Sequence, residues 1–278
     1  MIKNVLVAID GSEHSRSAIE HALWIAERLG ASLAALHVID IVSIEGSFLH
    51  DISGSLGFEP YLDFSSKMRE VLEERGKAML ADFSERAADT KVRCETLMDV
   101  GVIANQICER ARTADLVVIG HRGINEKFST GLLGGTAESL TRKCPKPLLV
   151  CPMEWKGVKK PLLAYDGSQR SASAMQAAAE FCVSFALPLA VLHVARDEAS
   201  GARIIEEATR YLSSYPVQTS FSCLSGNVPE QIVGAIRSEA HDLLFIGAYG
   251  HSRIVEMVLG STTEYVLRNA PCPVFLNR

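Results

Sequence analysis

An aspartate followed by glycine and serine occurs twice, at Asp10-Gly11-Ser12 and Asp166-Gly167-Ser168, each time directly after a short apolar run. Far downstream of each lies a spaced set of glycines. The second set is Gly247-x2-Gly250-x9-Gly260-Ser261-Thr262, and the first is Gly120-x2-Gly123-x10-Gly134-Gly135-Thr136. A carboxylate at a strand tip accepts hydrogen bonds from a sugar hydroxyl or an exocyclic amine. Glycines let the backbone approach a ligand with no Cβ in the way. The run Leu243-Leu244-Phe245-Ile246, continuous and closed by Gly247, reads as a strand buried on both faces. Ser261 falls where a helix N-cap belongs, with free backbone N–H groups and the positive end of the helix dipole behind it. Such a helix mouth suits phosphate, and the carboxylate extends the reading from a bare anion to a nucleotide.

The two sets are not equal. The first has one more residue before its third glycine, and places Gly135 where the other has Ser261. Thr136 supplies the missing hydroxyl if the inserted residue shifts the helix start; otherwise the first site binds weakly or not at all. A lost hydroxyl contact is worth about 0.5–1.5 kcal/mol, which weakens a site without closing it. The second site is therefore the preferred one. His121 and His251 flank the glycine loops, either touching phosphate or exposed to solvent, and Arg122 and Arg253 either offset phosphate charge or are solvated. His37 and His193 lie inside apolar strands and read as satisfied core residues. Taken alone, either aspartate is also an ordinary turn residue.

These residues sit on a duplicated framework. Val5–Ser12 matches Pro161–Ser168, and Leu36-His37-Val38 matches Leu192-His193-Val194, both at a spacing of 156. Asp115–Gly120 matches Asp242–Gly247 at a spacing of 127, so the first copy carries 29 extra residues in between. Two tandem domains are expected, residues 1–153 and 159–278, joined by a short polar stretch. Strands are expected at Val5–Asp10, Ser32–Ile39, Lys91–Met98, Leu116–Gly120 and Leu148–Cys151. The second copy repeats them at Leu162–Tyr165, Leu187–Val194, Gln218–Cys223, Leu243–Ile246 and Val274–Leu276. Helices alternate with them, at Ser12–Leu29, Gly101–Arg112 and Thr136–Lys143 in the first copy. Strands alternating with helices give an α/β fold with a parallel sheet and right-handed crossovers. Most of the extra length falls at about residues 40–65, either as a functional lid or as an elaborated crossover packed on the other copy. A helix with Met68, Leu72, Met79 and Phe83 along one side follows. Ligands of such sheets bind beyond the carboxyl ends of the strands, which brings Asp166 to Gly247 if the first and fourth strands are neighbours.

Composition removes other classes. A chain of net charge −5 has no electrostatic footprint for nucleic acid. No apolar run is long enough to span a bilayer, and Met1–Val5 leads into strand-like sequence without a signal-peptide layout. Seven cysteines without a CxxC pair point to buried thiols in a reducing cytoplasm, and to no metal centre. There is no G-x-x-x-x-G-K-[ST], and the first strand–helix turn lacks G-x-G-x-x-G. Neither a G-x-S-x-G elbow nor an HExxH pair stands out.

The Asp-Gly-Ser turn, the Leu-His-Val strand and G-x2-G-x9-G-[ST] together resemble the universal stress proteins, over essentially the whole chain and twice. That resemblance implies two flavodoxin-like, adenine-nucleotide-hydrolase-like domains, each a five-stranded parallel sheet of order 3-2-1-4-5 between helices. It implies ATP or another adenine nucleotide with Mg or Mn. In the second domain the ligand contacts are Asp166, Gly167, Val194, Gly247, Gly250, His251, Gly260, Ser261 and Thr262. In the first they are Asp10, Gly11, Val38, Gly120, Gly123, Gly134, Gly135 and Thr136. Catalytic residues and protein metal ligands are not among the expectations. The resemblance also implies that Leu148–Cys151 and Val274–Leu276 join edge to edge, with further pairing into a homodimer and an unidentified protein partner. The leading function is a cytoplasmic, ATP-binding, stress-response switch or chaperone-like regulator with little or no hydrolysis. The alternatives are an ATP-using enzyme (a weak ATPase or an adenylyl or phosphoryl transferase) and a partner-binding protein with vestigial sites.

Overall fold

The computed structural model describes residues 2–40, 61–123, 134–195, 197–247 and 260–277. The first half runs β1 (Asn4–Ala8), α1 (Glu13–Leu29), β2 (Ser32–Asp40), α2 (Tyr61–Ala88), β3 (Cys94–Gly101), α3 (Ile103–Ala111), β4 (Leu116–Gly120), α4 (Gly135–Lys143) and β5 (Leu148–Cys151). The second runs β6 (Pro161–Ala164), α5 (Gln169–Phe185), β7 (Leu189–Ala195), α6 (Glu198–Leu212), β8 (Thr219–Ser225), α7 (Val228–Glu239), β9 (Leu243–Gly247), α8 (Ser261–Asn269) and β10 (Val274–Asn277).

The strands form one ten-stranded sheet of order β3-β2-β1-β4-β5-β10-β9-β6-β7-β8. Each half therefore has the expected order 3-2-1-4-5. All pairs are parallel except the central one, where β10 runs antiparallel to β5 with Val274 opposite Val150 and Leu276 opposite Leu148. The halves meet through their last strands, so two edges that would otherwise template association are covered within one chain. Alternate residues of the strands feed two cores. On one face Val7, Leu33, Leu116, Leu163 and Phe245 pack under α1, α2 and α5. On the other, Leu6, Val38, Val117, Leu162 and Ile246 pack under α3, α4, α7 and α8.

Matching carboxylates fix where the first strand of each half begins. Asp115 accepts from the backbone N–H groups of Lys3 (2.8 Å) and Asn4 (2.9 Å). Asp242 does the same for Lys159 (2.7 Å) and Lys160 (2.8 Å). β3 starts at Cys94, three residues later than its sequence suggests, and runs on to Gly101 beside Asp40. It is an edge strand with mostly half-exposed side chains, so burial leaves no alternating signature to read. α2 is a packing helix, with Leu80, Phe83 and Ala87 buried. It lies on β2 and β3 of its own half rather than on the other copy; residues 41–60 of the expected insertion lie outside the described residues.

α1 is capped by Ser12, whose side chain accepts from the Ser15 N–H, and ends at Gly30 with φ +60°. At the matching place after α5 stands Ala186, held at φ +52°. A Cβ in the left-handed region crowds the following carbonyl. Ala186→Gly should therefore raise stability by about 0.5–1 kcal/mol, read as a shift of the urea midpoint without a change of slope.

The segment between the halves is structural. Trp155 packs edge-on against His21 of α1 (centroids 4.4 Å apart) and lies 5.6 Å from Trp24. Trp24 in turn packs on Phe185 of α5 at 4.4 Å, and Phe185 stacks on Phe181 at 4.2 Å. His21 is buried, and its Nδ1–H donates to the Ser17 carbonyl at 2.7 Å. Burial brings its pKa down to about 4 from 6.5, against a smaller opposing effect of that hydrogen bond. The unfolded chain then binds a proton at a pH where the folded one does not. Stability present above pH about 6.5 is lost as pH falls through about 4. The loss attributable to His21 should be about 3 kcal/mol, seen in denaturation followed by tryptophan fluorescence. It should be absent in His21→Phe.

Candidate functional site

At the carboxyl ends of the first-half strands is a cavity of about 370 Å³. Asp10 lines it from just beyond β1, Asp40 from the tip of β2, and Ile103 and Ile107 from α3. Ile119, Gly120, His121, Arg122 and Gly123 come from β4 and the loop after it, and Gly134, Gly135 and Thr136 from the start of α4. The sheet order changes direction here, because β1 pairs with both β2 and β4. Six residues expected from the sequence are brought together: Asp10, Gly120, Gly123, Gly134, Gly135 and Thr136. Gly11 and Val38 are not in the cavity lining: Gly11 is exposed and Val38 is buried in the core. A larger hollow, about 620 Å³, lies under Asn4, Ser32 and Cys94. It is at the opposite ends of the same strands, away from the glycine loop and the α4 N-terminus.

The aspartate is held by its own turn. Asp10 Oδ1 accepts from the Ser12 N–H (2.9 Å) and the Ser12 hydroxyl (2.7 Å), and Gly11 turns the chain at φ +82°. The other oxygen faces the glycine loop: a methyl group built on Gly123 would lie 2.8 Å from Asp10 Oδ2. In the second half Asp166 Oδ1 accepts from the Ser168 N–H at 2.9 Å, and Gly167 has φ +76°. The turn holds Oδ1 of Asp10, and Oδ2 is the oxygen nearer the glycine loop.

Gly120 and Gly247 also answer a packing need that their spacing does not show. A Cβ on Gly120 would lie 2.8 Å from His14 Cβ and 2.9 Å from its carbonyl carbon. On Gly247 it would meet the Arg170 carbonyl carbon and the Ser171 nitrogen, both at 2.7 Å. These glycines let α1 and α5 seat on the ends of β4 and β9.

The helix start also differs from expectation. Ser261 is not the N-cap: Gly260 is, with φ −60° and ψ 139°, and its carbonyl accepts the first helical bond from Glu264 at 2.9 Å. Gly134 holds the same place in α4, accepting from Glu138 at 2.9 Å. Neither helix has a side-chain cap. The first-turn N–H groups are those that have no partner within a helix. Ser261 is the first helical residue and exposed, and Gly135 is its counterpart. The extra residue of the first copy therefore lies before Gly134 and leaves the helix register unmoved. Thr136 corresponds to Thr262, so it does not stand in for Ser261.

In the second half, Asp166 is exposed beyond β6, Val194 is half-buried on β7, and Gly247 ends β9 beside β6. Val266 and Leu267 of α8 share a core with Ala164, Val194 and Ile246. Gly250 and His251 lie outside the described residues. Sequence reading passed over Asp40, Ile103, Ile107 and Ser15 as cavity residues. Asp40 had a signal, two positions beyond the valine of Leu-His-Val; the isoleucines read as plain core. His121 is half-buried in the cavity wall rather than exposed. His37 and His193 are satisfied as expected, through Nδ1 to the carbonyls of Ile9 and Tyr165, both at 2.8 Å.

Comparison with known proteins matches a family model described as "Universal stress protein family" to residues 1–152 and again to 157–278. The universal stress protein Slr1230 of Synechocystis is 30% identical over the full length of both chains. MJ0531 of Methanocaldococcus jannaschii, also named a universal stress protein, is 32% identical over 163 residues, 58% of this chain and 84% of that one. Among solved structures, a universal stress protein of Archaeoglobus fulgidus superposes with a TM-score of 0.72 at 22% identity, covering 98% of this chain and 97% of its own.

The glycine geometry gives a direct test. Gly120→Ala and Gly247→Ala should each destabilise the fold by about 2–3 kcal/mol through backbone overlap with α1 or α5. Gly135→Ala, where a Cβ meets nothing within 4 Å, should leave the denaturation midpoint nearly unchanged.

Proposed function

The chain belongs to the universal stress protein family in both of its halves, and on that premise we propose that it is an ATP-binding switch of the stress response. The observation that carries this reading is the composition of the first-half cavity. Two carboxylates, Asp10 and Asp40, and apolar side chains line its β1, β2 and α3 walls, while Arg122, His121 and the α4 N-terminus line the remainder. That asymmetry orients a nucleotide. Asp10 and the strand edge at Val38 receive the adenosine end. Gly123, the first-turn N–H groups at Gly135 and Thr136 and the Arg122 guanidinium receive phosphate. Asp166, Val194, Gly247, Gly250, Gly260, Ser261 and Thr262 do the same in the second half, where Ser261 adds a hydroxyl.

A triphosphate carries more negative charge than these groups offset, so Mg or Mn bridging its oxygens belongs to the reading. Hydrolysis is slow or absent. In this reading Asp10 meets the adenosine end, away from the phosphates on which a general base would act. Bound nucleotide biases the surface offered to a protein partner or to a second copy of the chain. The setting is the cytoplasm; among the described residues no helix is long and apolar enough to cross a membrane.

Denaturing freshly purified protein and counting the released ligand should yield one or two adenine nucleotides per chain. Asp10→Ala with Asp166→Ala should weaken ATP binding at least about tenfold, as loss of a charged hydrogen-bond partner does, with the melting curve largely kept. Ser261→Ala should cost several-fold at the second site. Unchanged affinity in both variants would remove the site assignment. Multiple-turnover phosphate release that vanishes in Asp166→Ala would make the protein an enzyme instead.

A further inference from the structure

The peptide that carries each strand-tip aspartate is gripped at both ends by side chains, in the same way in both halves. β1 ends at Ala8, and Ile9 still donates its N–H to the Leu36 carbonyl at 2.8 Å. The Ile9 carbonyl then leaves the strand ladder. It accepts from His37 Nδ1 at 2.8 Å, so the imidazole stands in for the next backbone donor of β2. On the other side of the same peptide, the Asp10 N–H donates to the Ser15 hydroxyl oxygen at 3.2 Å. The second half repeats this with a different residue before the aspartate. Tyr165 N–H donates to Leu192 at 2.9 Å, its carbonyl accepts from His193 Nδ1 at 2.8 Å, and the Asp166 N–H reaches the Ser171 oxygen at 3.4 Å. Ser15, Ser171 and His193 are all buried.

A carbonyl only accepts, so Nδ1 must carry the proton, and the tautomer of each imidazole is set. Each ring is also backed by a glycine of the helix after the second strand. A Cβ on Gly76 would lie 2.6 Å from His37 Cδ2; a Cβ on Gly201 would lie 3.8 Å from His193 Cδ2. Holding both ends of a peptide fixes its plane, and with it the direction in which the next Cα projects its side chain. Without the grip, the peptide after the last ladder bond is free to rotate, and the Asp-Gly turn with it.

We infer that His37 and His193 are positioning residues for the adenosine end of the ligand: each orients, through the peptide it clamps, the aspartate that meets the nucleoside. This rests on the ATP-binding reading given above. Neither imidazole needs to touch the ligand.

The test is ATP titration by calorimetry on the full chain. His37→Leu with His193→Leu should weaken ATP about five- to tenfold, the equivalent of one lost hydrogen bond that held the site in shape. His37→Asn with His193→Asn keeps a short N–H donor near the position of Nδ1, and should restore affinity to within about twofold. In a chain already carrying D10A and D166A, the two leucine changes should have no further effect, because the histidines act only through those carboxylates. If the leucine chain fails to fold, Ser15→Ala with Ser171→Ala cuts the other end of the same peptide and carries the same expectations. Wild-type affinity in the folded leucine chain would overturn the inference. So would failure of asparagine to rescue, or a loss that persists in full without the aspartates. If the wild-type chain itself binds no ATP, the nucleotide reading falls and this inference with it; binding by wild type with no response to the histidines sinks this inference alone.

Discussion

Parallel pairing of the first strand with the fourth, β1 with β4 and β6 with β9, is the constraint from which the site follows. It places two chain reversals side by side at the same end of the sheet. One reversal is a tight turn led by an aspartate, and the other a longer loop that returns through a helix N-terminus. The crevice between them exists because helices leave the sheet toward opposite faces on either side of that pair. Its walls come from five separate parts of the chain, so the cavity depends on the whole of one half being folded.

The close approach of these parts explains the glycines better than ligand binding alone does. Gly120 and Gly247 yield space to a helix backbone, Gly11 and Gly167 give positive φ to the turn, and Gly123 yields space to a carboxylate. The cavity and the tight helix–strand junction share one corner, so the same small residues line the one and allow the other. An aspartate whose turn, preceding peptide and facing loop are all fixed loses little further freedom on meeting a ligand.

The antiparallel contact between β5 and β10 does for the pair of halves what β1–β4 pairing does within each. The paired residues are apolar and buried, Leu148–Val150 against Val274–Leu276. The linking segment reinforces it from outside, through Trp155 between α1 and the Trp24–Phe185 contact. The two copies differ after the fourth strand, with His121-Arg122 in one and Ala248-Tyr249 in the other, and Gly135 against Ser261.

Much of this was legible in the letters. The repeat, the order of elements, the strand-tip aspartates and the spaced glycines are local or periodic features, and apolar runs such as Leu116–Ile119 and Leu243–Ile246 declare buried strands by themselves. The start of β3 was not legible, since an edge strand has no buried face to impose a pattern. Nor was the identity of the α8 cap: a serine after a glycine fits two adjacent registers, and the first carbonyl-to-N–H bond decides between them. Ile103 and Ile107 gained their place in the cavity wall through distance in space alone. The chain by itself determined which chemical groups the protein has and in what succession; the tertiary structure decided which of them meet, because hydrogen bonds between strands far apart in sequence, and helix backbones pressed onto strand ends, set distances that no spacing along the chain encodes.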